Sequence, residues 1–396
     1  MKIPLARPYF DEADEKSVLE TLRSCWVGQG PKVAAFEQRF AEYIGTPHAA
    51  AVSSCTAALH LAVLAAGFAP DDEVLVPAFT WISTPNAIEY AGARPIFCDI
   101  DPVTFNIDMA DAARRVTPRT RGIIPVHLFG LAADMDAVLD LARRHNLFVI
   151  EDAACGLGCY YGDRHVGTLG DIGCFSFHPR KSITTGEGGM LTTGQQPLDV
   201  TFRSLRDIGP DRSNFSPERA AQQLLPDYNA LGFNYRMTDL QAALGLTQLA
   251  KFDSILERRL DCARRYHELI KGSTLAEWLQ PPPLPREREH AYQAYICRLT
   301  PPGDNEATLK VWHTRRNRLM QQLFEAGIAT RPGTHAPHLL GYYRNKYSIR
   351  SADYPQSWRA DWLTLALPLY AGLTSSEQEW ICAKLHEEWL KECRDC

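Results

Sequence analysis

Four short apolar runs stand out along the first 160 residues: Glu73–Pro77, Arg94–Ile100, Gly122–Leu128 and Leu147–Ala153. Each is rich in β-branched residues and lacks a polar alternation, the pattern of strands covered on both faces. Longer stretches between them carry helical periodicity. Ala132–Asn146 places Met135, Val138, Leu139 and Ala142 on one face, and Ser53–Gly67 opens with hydroxyl residues able to cap a helix. Strands alternating with helices predict an α/β fold with a mostly parallel central sheet flanked by helices.

The pattern changes near residue 250. Ala243–Ile270 reads as one long helix, and Pro281–Pro283 interrupts the chain soon after. Beyond it, strand-like pieces mix with helices such as Ser375–Leu390. The division predicts a large domain over residues 1–250 and a smaller α+β domain over 251–396, a normal partition for a chain of 396 residues.

Composition narrows the function classes. With 45% hydrophobic and 22% charged residues, the chain is of ordinary globular type. Its 42 basic and 47 acidic residues are well mixed, and no basic stripe invites nucleic acid. The opening Met-Lys-Ile-Pro-Leu-Ala-Arg lacks the apolar core of a signal peptide. The longest apolar stretch, Ala57–Ala69, is broken by His60 and too short to span a bilayer. Eleven scattered cysteines read as reduced thiols, so the expectation is a cytoplasmic protein with no membrane partner. Cys155 and Cys159 lack the spacing of a zinc knuckle, and no metal site is expected.

Candidate chemistry gathers around "FSFHPRKSITTGEGGML", Phe175–Leu191, where Lys181 lies between an aromatic approach and a glycine-rich exit. In an α/β protein, ligands collect at the carboxyl ends of strands. Asp152 ends the run Leu147–Ala153 there. "SSCT", Ser53–Thr56, offers hydroxyls and free amides at a helix start, a ready anion site. Trp81, in "PAFTWIS", follows another strand and could cover a flat ring. An amine, an acid, an anion site and an aromatic face together describe a pocket for pyridoxal 5'-phosphate (PLP), whose aldehyde takes a lysine amine and whose ring nitrogen takes an acid.

At these motifs the chain resembles the sugar aminotransferases of the DegT/DnrJ/EryC1/StrS group, which have the fold type I architecture of aspartate aminotransferase. The resemblance runs from "IPLARPYF" through "VSSCTAALHLAV", "VIEDAACGLG" and "SFHPRKSITTGEGG" to "LGFNYRMTDLQAALGLTQL", and is looser in the C-terminal part. It implies a PLP-dependent aminotransferase that takes an amino group from an amino acid, glutamate foremost, and gives it to a keto-sugar, most often nucleotide-linked. Lys181 would be the Schiff-base anchor and Asp152 the partner of the pyridine nitrogen. Trp81 would stack on the ring, while Thr56, the amide of Cys55 and the hydroxyl of Ser176 would hold the phosphate. Asn234, in "GFNYRM", would reach the phosphate from the neighbouring subunit of a homodimer. His178, Glu187 and His335 would lie on the substrate side. Two positions depart from the group's pattern. Cys155 stands where glutamine or histidine often bonds the cofactor's phenolic oxygen, and a thiol is a weak donor. Cys55 stands where glycine is common, a change that keeps the backbone amide.

Other readings remain open at this point. The same scaffold dehydrates sugars in relatives with histidine at the lysine position, which Lys181 argues against. A free keto-sugar acid could replace the nucleotide sugar as acceptor. "CGLGCYYG" hints at a dinucleotide loop, but Gly162 falls one position beyond the standard spacing. A PLP-binding regulator would need a DNA-binding appendage, for which no basic segment is seen.

Overall fold

The computed structural model describes residues 2–211, 226–283 and 289–394. Along the chain the strands are β1 His48–Val52, β2 Glu73–Pro77, β3 Arg94–Cys98, β4 Thr120–Ile123 and β5 Phe148–Asp152. They continue with β6 Tyr160–Tyr161, β7 Arg164–His165, β8 Ile172–Ser176 and β9 Gly189–Thr193, then β10 Leu279–Gln280, β11 Tyr295–Leu299 and β12 Thr364–Leu367. Seven of them form the central sheet in the order β1-β9-β8-β5-β4-β2-β3. From β3 to β8 every neighbouring pair is parallel, whereas β9 runs against both β8 and β1. One reversed strand in an otherwise parallel sheet leaves six carboxyl ends on a single edge. The mostly parallel sheet expected from the alternation is what forms.

Local sequence explains where the elements stop. The run Gly122–Leu128 is a regular strand only at its start and meets β5 again at the Val126–Asp152 bridge. Pro125 has no N–H to give, which interrupts the ladder, and after His127, whose N–H donates to the Asp152 carbonyl at 3.0 Å, the chain enters a short 3₁₀ turn at Leu128–Gly130. Helix Met135–His145 buries Met135, Val138, Leu141 and Ala142; Leu139, expected on that face, is half-buried at its edge. Ser54 caps helix Cys55–Ala65, its Oγ accepting from the Ala57 N–H at 3.1 Å. That helix is buried continuously from Ala57 to Val63, which is why its sequence is apolar on every side.

The long helical pattern Ala243–Ile270 is two helices, Asp239–Ala250 and Phe252–Lys271. At the break, Lys251 reaches Asp11 at 2.8 Å and Asp14, while Phe252 turns fully inward. Tertiary ion pairing overrides a continuous local propensity there. A second, antiparallel sheet, β10-β11-β12, shares an apolar core with helices Phe252–Lys271, Glu306–Glu325 and Ser375–Arg394. Ile3 joins this core and bridges to Ile328, so the N-terminal segment is tied to it. Among the described residues no helix is long and apolar enough to cross a membrane.

Candidate active site

The carboxyl ends of β1, β2, β4, β5 and β8 lead into the segments that line one cavity. At the end of β1 the chain enters helix Cys55–Ala65 through Ser54. The N–H groups of the helix's first turn have no acceptor within the helix, so they suit an anion. Thr56 Oγ1 donates to Ser83 Oγ at 2.8 Å, tying this start to the helix that follows β2. Gly189, at the start of β9, passes directly beneath: a Cβ there would sit 2.5 Å from the Ser54 carbonyl carbon and 2.7 Å from the Cys55 nitrogen.

Asp152, at the tip of β5, is 4% exposed. Its Oδ2 accepts from Thr84 Oγ1 at 2.7 Å, and its Oδ1 from the Ala154 N–H at 3.1 Å. Burial pushes this carboxyl above the usual range, against the opposing pull of the Thr84 and Ala154 bonds and of Lys181 and His127. Behind it, buried Glu151 accepts from His127 Nε2 at 2.8 Å and from the N–H groups of Gly167, Leu169 and Gly170. Burial alone would raise Glu151, but His127 and these amides hold its carboxyl low. Glu151 thereby anchors the loop at residues 167–170, and the two neighbouring carboxyls are shifted in opposite directions.

Lys181 lies in the connection between the antiparallel neighbours β8 and β9, with Gly186 at a φ of +82° helping the return. Its N–H donates to the His178 carbonyl at 2.8 Å, and its Nζ meets Cys155 Sγ at 3.2 Å. Among the described residues its amine has no carboxylate partner. Ser176, Trp81, His178 and Glu187 line the same cavity. Trp81 is 48% exposed, free to cover a ligand. His178 Nδ1 accepts from the Arg180 N–H at 3.2 Å, and its Nε2 stands 4.0 Å from Glu187 Oε1. Burial first, and then the positive charges of Arg180, Lys181 and Arg331, depress its pKa despite Glu187.

The structure thus gathers Cys55, Thr56, Trp81, Asp152, Cys155, Ser176, His178, Lys181 and Glu187. His335 stays at the rim: it is exposed and outside the lining, but its ring lies 5.4 Å from Trp81 through the Thr80–His335 bridge. Asn234 is exposed, bridges to Asp207, and does not line the cavity of its own chain. Sequence reasoning missed Ser83, Thr84, Gln293, Arg331 and Thr334, all lining residues. Thr84 could have been found, since it falls three residues after Trp81 in a hydroxyl-rich run. Nothing local marks Gln293 or Arg331.

A buried acid, an amine with no carboxylate partner among the described residues, a helix start suited to an anion and an exposed indole fit the ring nitrogen, aldehyde, phosphate and face of PLP. With the mostly parallel sheet and its smaller companion, they define a PLP-dependent transferase of fold type I. The comparison with known proteins sharpens the class: the DegT/DnrJ/EryC1/StrS aminotransferase family matches residues 8–386, and the chain belongs to it. It is 38% identical over 389 residues to GDP-perosamine synthase of Caulobacter vibrioides, covering 98% of each chain. It is 37% identical to the spore coat polysaccharide biosynthesis protein SpsC of Bacillus subtilis, over 95% of this chain and 94% of that one. The putative sugar aminotransferase Spr1654 from Streptococcus pneumoniae, in its PMP form, superposes with a TM-score of 0.91 at 29% identity, covering 99% of this chain and all (100%) of the other. The same protein has been solved in a PLP form. The chain is a PLP-dependent sugar aminotransferase.

Proposed function

We propose that this enzyme moves the amino group of an α-amino acid, glutamate foremost, onto a keto-sugar carried by a nucleoside diphosphate. The observation that carries the reading is one cavity holding the amine of Lys181 and the buried carboxyl of Asp152. The name of the Caulobacter relative, a GDP-sugar enzyme, supports the nucleotide link.

When bound, PLP supplies an electron sink that lets an amino group leave one carbon and join another. Lys181 would anchor the cofactor through Nζ and, as a free amine, carry a proton to and from the reacting carbon. Asp152 would hold the ring nitrogen protonated, a contact that favours its own charged form against burial. Thr56, Ser176 and the Cys55 amide would grip the phosphate and Trp81 would cover the ring, while Cys155 sits against the Lys181 amine. His178 and Glu187 face the substrate, with His335 at the rim. Donor and acceptor use the same site in turn: the amino acid departs as its 2-oxo acid, and the sugar ketone leaves as an amine.

The reading extends to a twofold dimer in which Asn234 of one subunit reaches the phosphate held by the other. Its exposure outside its own cavity supports this, as do exposed Tyr228 and Leu231 beside it. It also takes residues 1–250 as the cofactor domain and 251–396 as a smaller domain, with Gln293, Arg331 and Thr334 reaching the cavity from the latter. The thiols of Cys55 and Cys155 in the site suit a reducing compartment, and we assign the enzyme to the cytoplasm.

The test is direct. Borohydride reduction of the PLP-loaded protein followed by peptide mapping should label Lys181. Mass spectrometry of a panel of nucleotide-linked keto-sugars with glutamate should show an amino-sugar product. Labelling at another lysine refutes the anchor; amination only of a free keto-sugar acid refutes the nucleotide link.

A further inference from the structure

Among the described residues, thiols that hydrogen-bond mostly use backbone carbonyls. Cys25 meets that of Arg23, Cys98 that of Ile96, Cys159 that of Glu289, and Cys262 those of Tyr370 and Leu373. Cys155 differs. Its Sγ lies 3.2 Å from Nζ of Lys181, 26 residues further along the chain. Both backbones are set by turns that do not depend on this contact. The Gly156 N–H donates to the Ala153 carbonyl at 2.8 Å, and the Lys181 N–H to the His178 carbonyl at 2.8 Å. The fold itself holds a sulfur against an amine.

Thiols that react have partly exposed, positively charged surroundings. Cys155 is half-buried in a cavity of about 190 Å³, with Lys181 in contact and Arg331 within electrostatic reach. That space has room for hydrogen peroxide beside Sγ. Cys55, the other thiol of the lining, is the poorer nucleophile. Burial first, and then the charge of Asp152, push it well above its usual range against the pull of Lys181. Cys98, Cys159 and Cys174 are buried.

We propose that Cys155 and Lys181 form a reversible oxidative lock, a covalent Sγ–Nζ bond made with hydrogen peroxide as the oxidant. In the first step Sγ attacks one peroxide oxygen, the O–O bond breaks and water leaves, so the thiol becomes a sulfenic acid. In the second, the lone pair of Nζ attacks that sulfur and the S–O bond breaks. The departing hydroxide takes a proton from the nitrogen and leaves as a second water. Sulfur has lost two electrons and peroxide has gained them. Sulfenic acids condense in this way with a thiol or a backbone nitrogen, and the nucleophile held against Sγ here is an amine. Two molecules of a thiol reductant reverse the link, ending as one disulfide and restoring the Cys155 thiol and the Lys181 amine.

The consequence rests on the aminotransferase reading, in which Nζ anchors PLP. The lock removes the anchor, and with PLP on Nζ the amine is occupied and no link forms. Susceptible states are those with a free Lys181 amine: the cofactor-free chain, and the enzyme that has taken an amino group and not yet passed it on. Peroxide then halts an enzyme left without its acceptor. The link also shields Cys155 from the sulfinic acid, which thiol reductants do not reverse.

The experiment treats three samples of the protein with hydrogen peroxide: cofactor-free, PLP-loaded, and PLP-loaded then reacted with L-glutamate. Non-reducing peptide mapping by mass spectrometry should find the Cys155 and Lys181 peptides joined, lighter by two hydrogens than their sum, in the first and third. The PLP-loaded sample should keep them separate. Borohydride labelling of Lys181 after PLP is added back should be lost in step with the link, and dithiothreitol should restore it. Cys155→Ser should form no link and keep its labelling after peroxide, measured against the same variant untreated, whereas Cys55→Ser should still form the link. In Lys181→Ala, Cys155 should go on to the sulfinic acid. A Cys55–Cys155 disulfide in the wild type, or sulfinic acid at Cys155 beside a free Lys181 amine, overturns the lock and leaves the aminotransferase reading intact. Wild-type mapping decides this even where a substituted chain fails to fold. A link that forms equally well in the PLP-loaded sample sustains the Sγ–Nζ bond and overturns Lys181 as the anchor.

Discussion

Replacing Gly189 by alanine isolates the link between the sheet and the phosphate site. The new Cβ would meet the Ser54 carbonyl carbon at 2.5 Å, its oxygen at 2.6 Å and the Cys55 nitrogen at 2.7 Å. Ordinary contact begins at 3.4 Å, so the backbones must separate by roughly 0.9 Å. Neither partner gives easily. Gly189 pairs with Val52 on one side and Ser176 on the other, and Ser54 is the cap of a buried helix. Overpacking of this kind costs about 1–3 kcal/mol. The displacement falls on the first-turn amides that would receive the phosphate, and one lost hydrogen bond to a charged group is worth about 1.5–3 kcal/mol. PLP affinity should therefore drop about 10- to 100-fold, and the urea midpoint should fall. Titration of the apo-protein with PLP by absorbance, alongside urea unfolding, measures both. Gly194→Ala is the control, since a Cβ there meets nothing within 4 Å. If Gly189→Ala binds PLP within about twofold of wild type and unfolds at the same urea concentration, the reasoning is refuted.

Four further outcomes follow from the same geometry. Thr84→Val removes a hydrogen bond that favours ionised Asp152, so the acid limb of the kcat/KM profile should move to higher pH; an unmoved limb would count against that contact. His165, His290 and His338 are held neutral by burial, with pKa values pushed down to about 4, about 3 and about 4. Their stabilisation is complete above about pH 6.5 and is lost as pH falls towards 4, so the urea midpoint should decline across that window. The decline should be shallower in His165→Asn, whose parent accepts the Gly158 N–H through Nε2; an identical slope would argue against His165 as a contributor. Glu37→Ala strands buried Arg206 and should cost about 3–5 kcal/mol in unfolding free energy, a loss below 1 kcal/mol being the contrary result. For the proposed dimer, Lys181→Ala and Asn234→Asp should each be inactive, yet unfolded and reassembled together they should recover roughly a quarter of wild-type activity, because half the randomly paired dimers would hold one intact site. An inactive mixture with proven subunit exchange argues against a shared site.

The sequence alone determined the alternation of buried strands and amphipathic helices, hence the mostly parallel sheet. It also marked Lys181, Asp152, Thr56 and Trp81, because each lies in a short stretch whose residue types already suit one piece of chemistry. Those signals are local: a strand tip, a cap, a lysine before glycines. Tertiary structure decided what local patterns cannot hold. The continuous helical periodicity through Lys251 gave no sign of a break, since the carboxylates that draw that lysine away sit at Asp11 and Asp14, more than two hundred residues earlier. Leu141 took the core position expected for Leu139 because the neighbouring strands, rather than the helix's own pattern, set the face that is covered. The pairing of β8 with β9, which makes the Lys181 segment their connection and brings Gly189 against Ser54, depends on partners brought together by the sheet order. Thr84 became the support of Asp152 only when β2 and β5 ended on the same edge. Arg331 is the clearest case: an arginine between short loops carries no sequence mark, and its place in the lining of the cavity that holds Lys181 is visible only in the folded chain. Burial and convergence are properties of the folded chain, and they turn ordinary residues into a site.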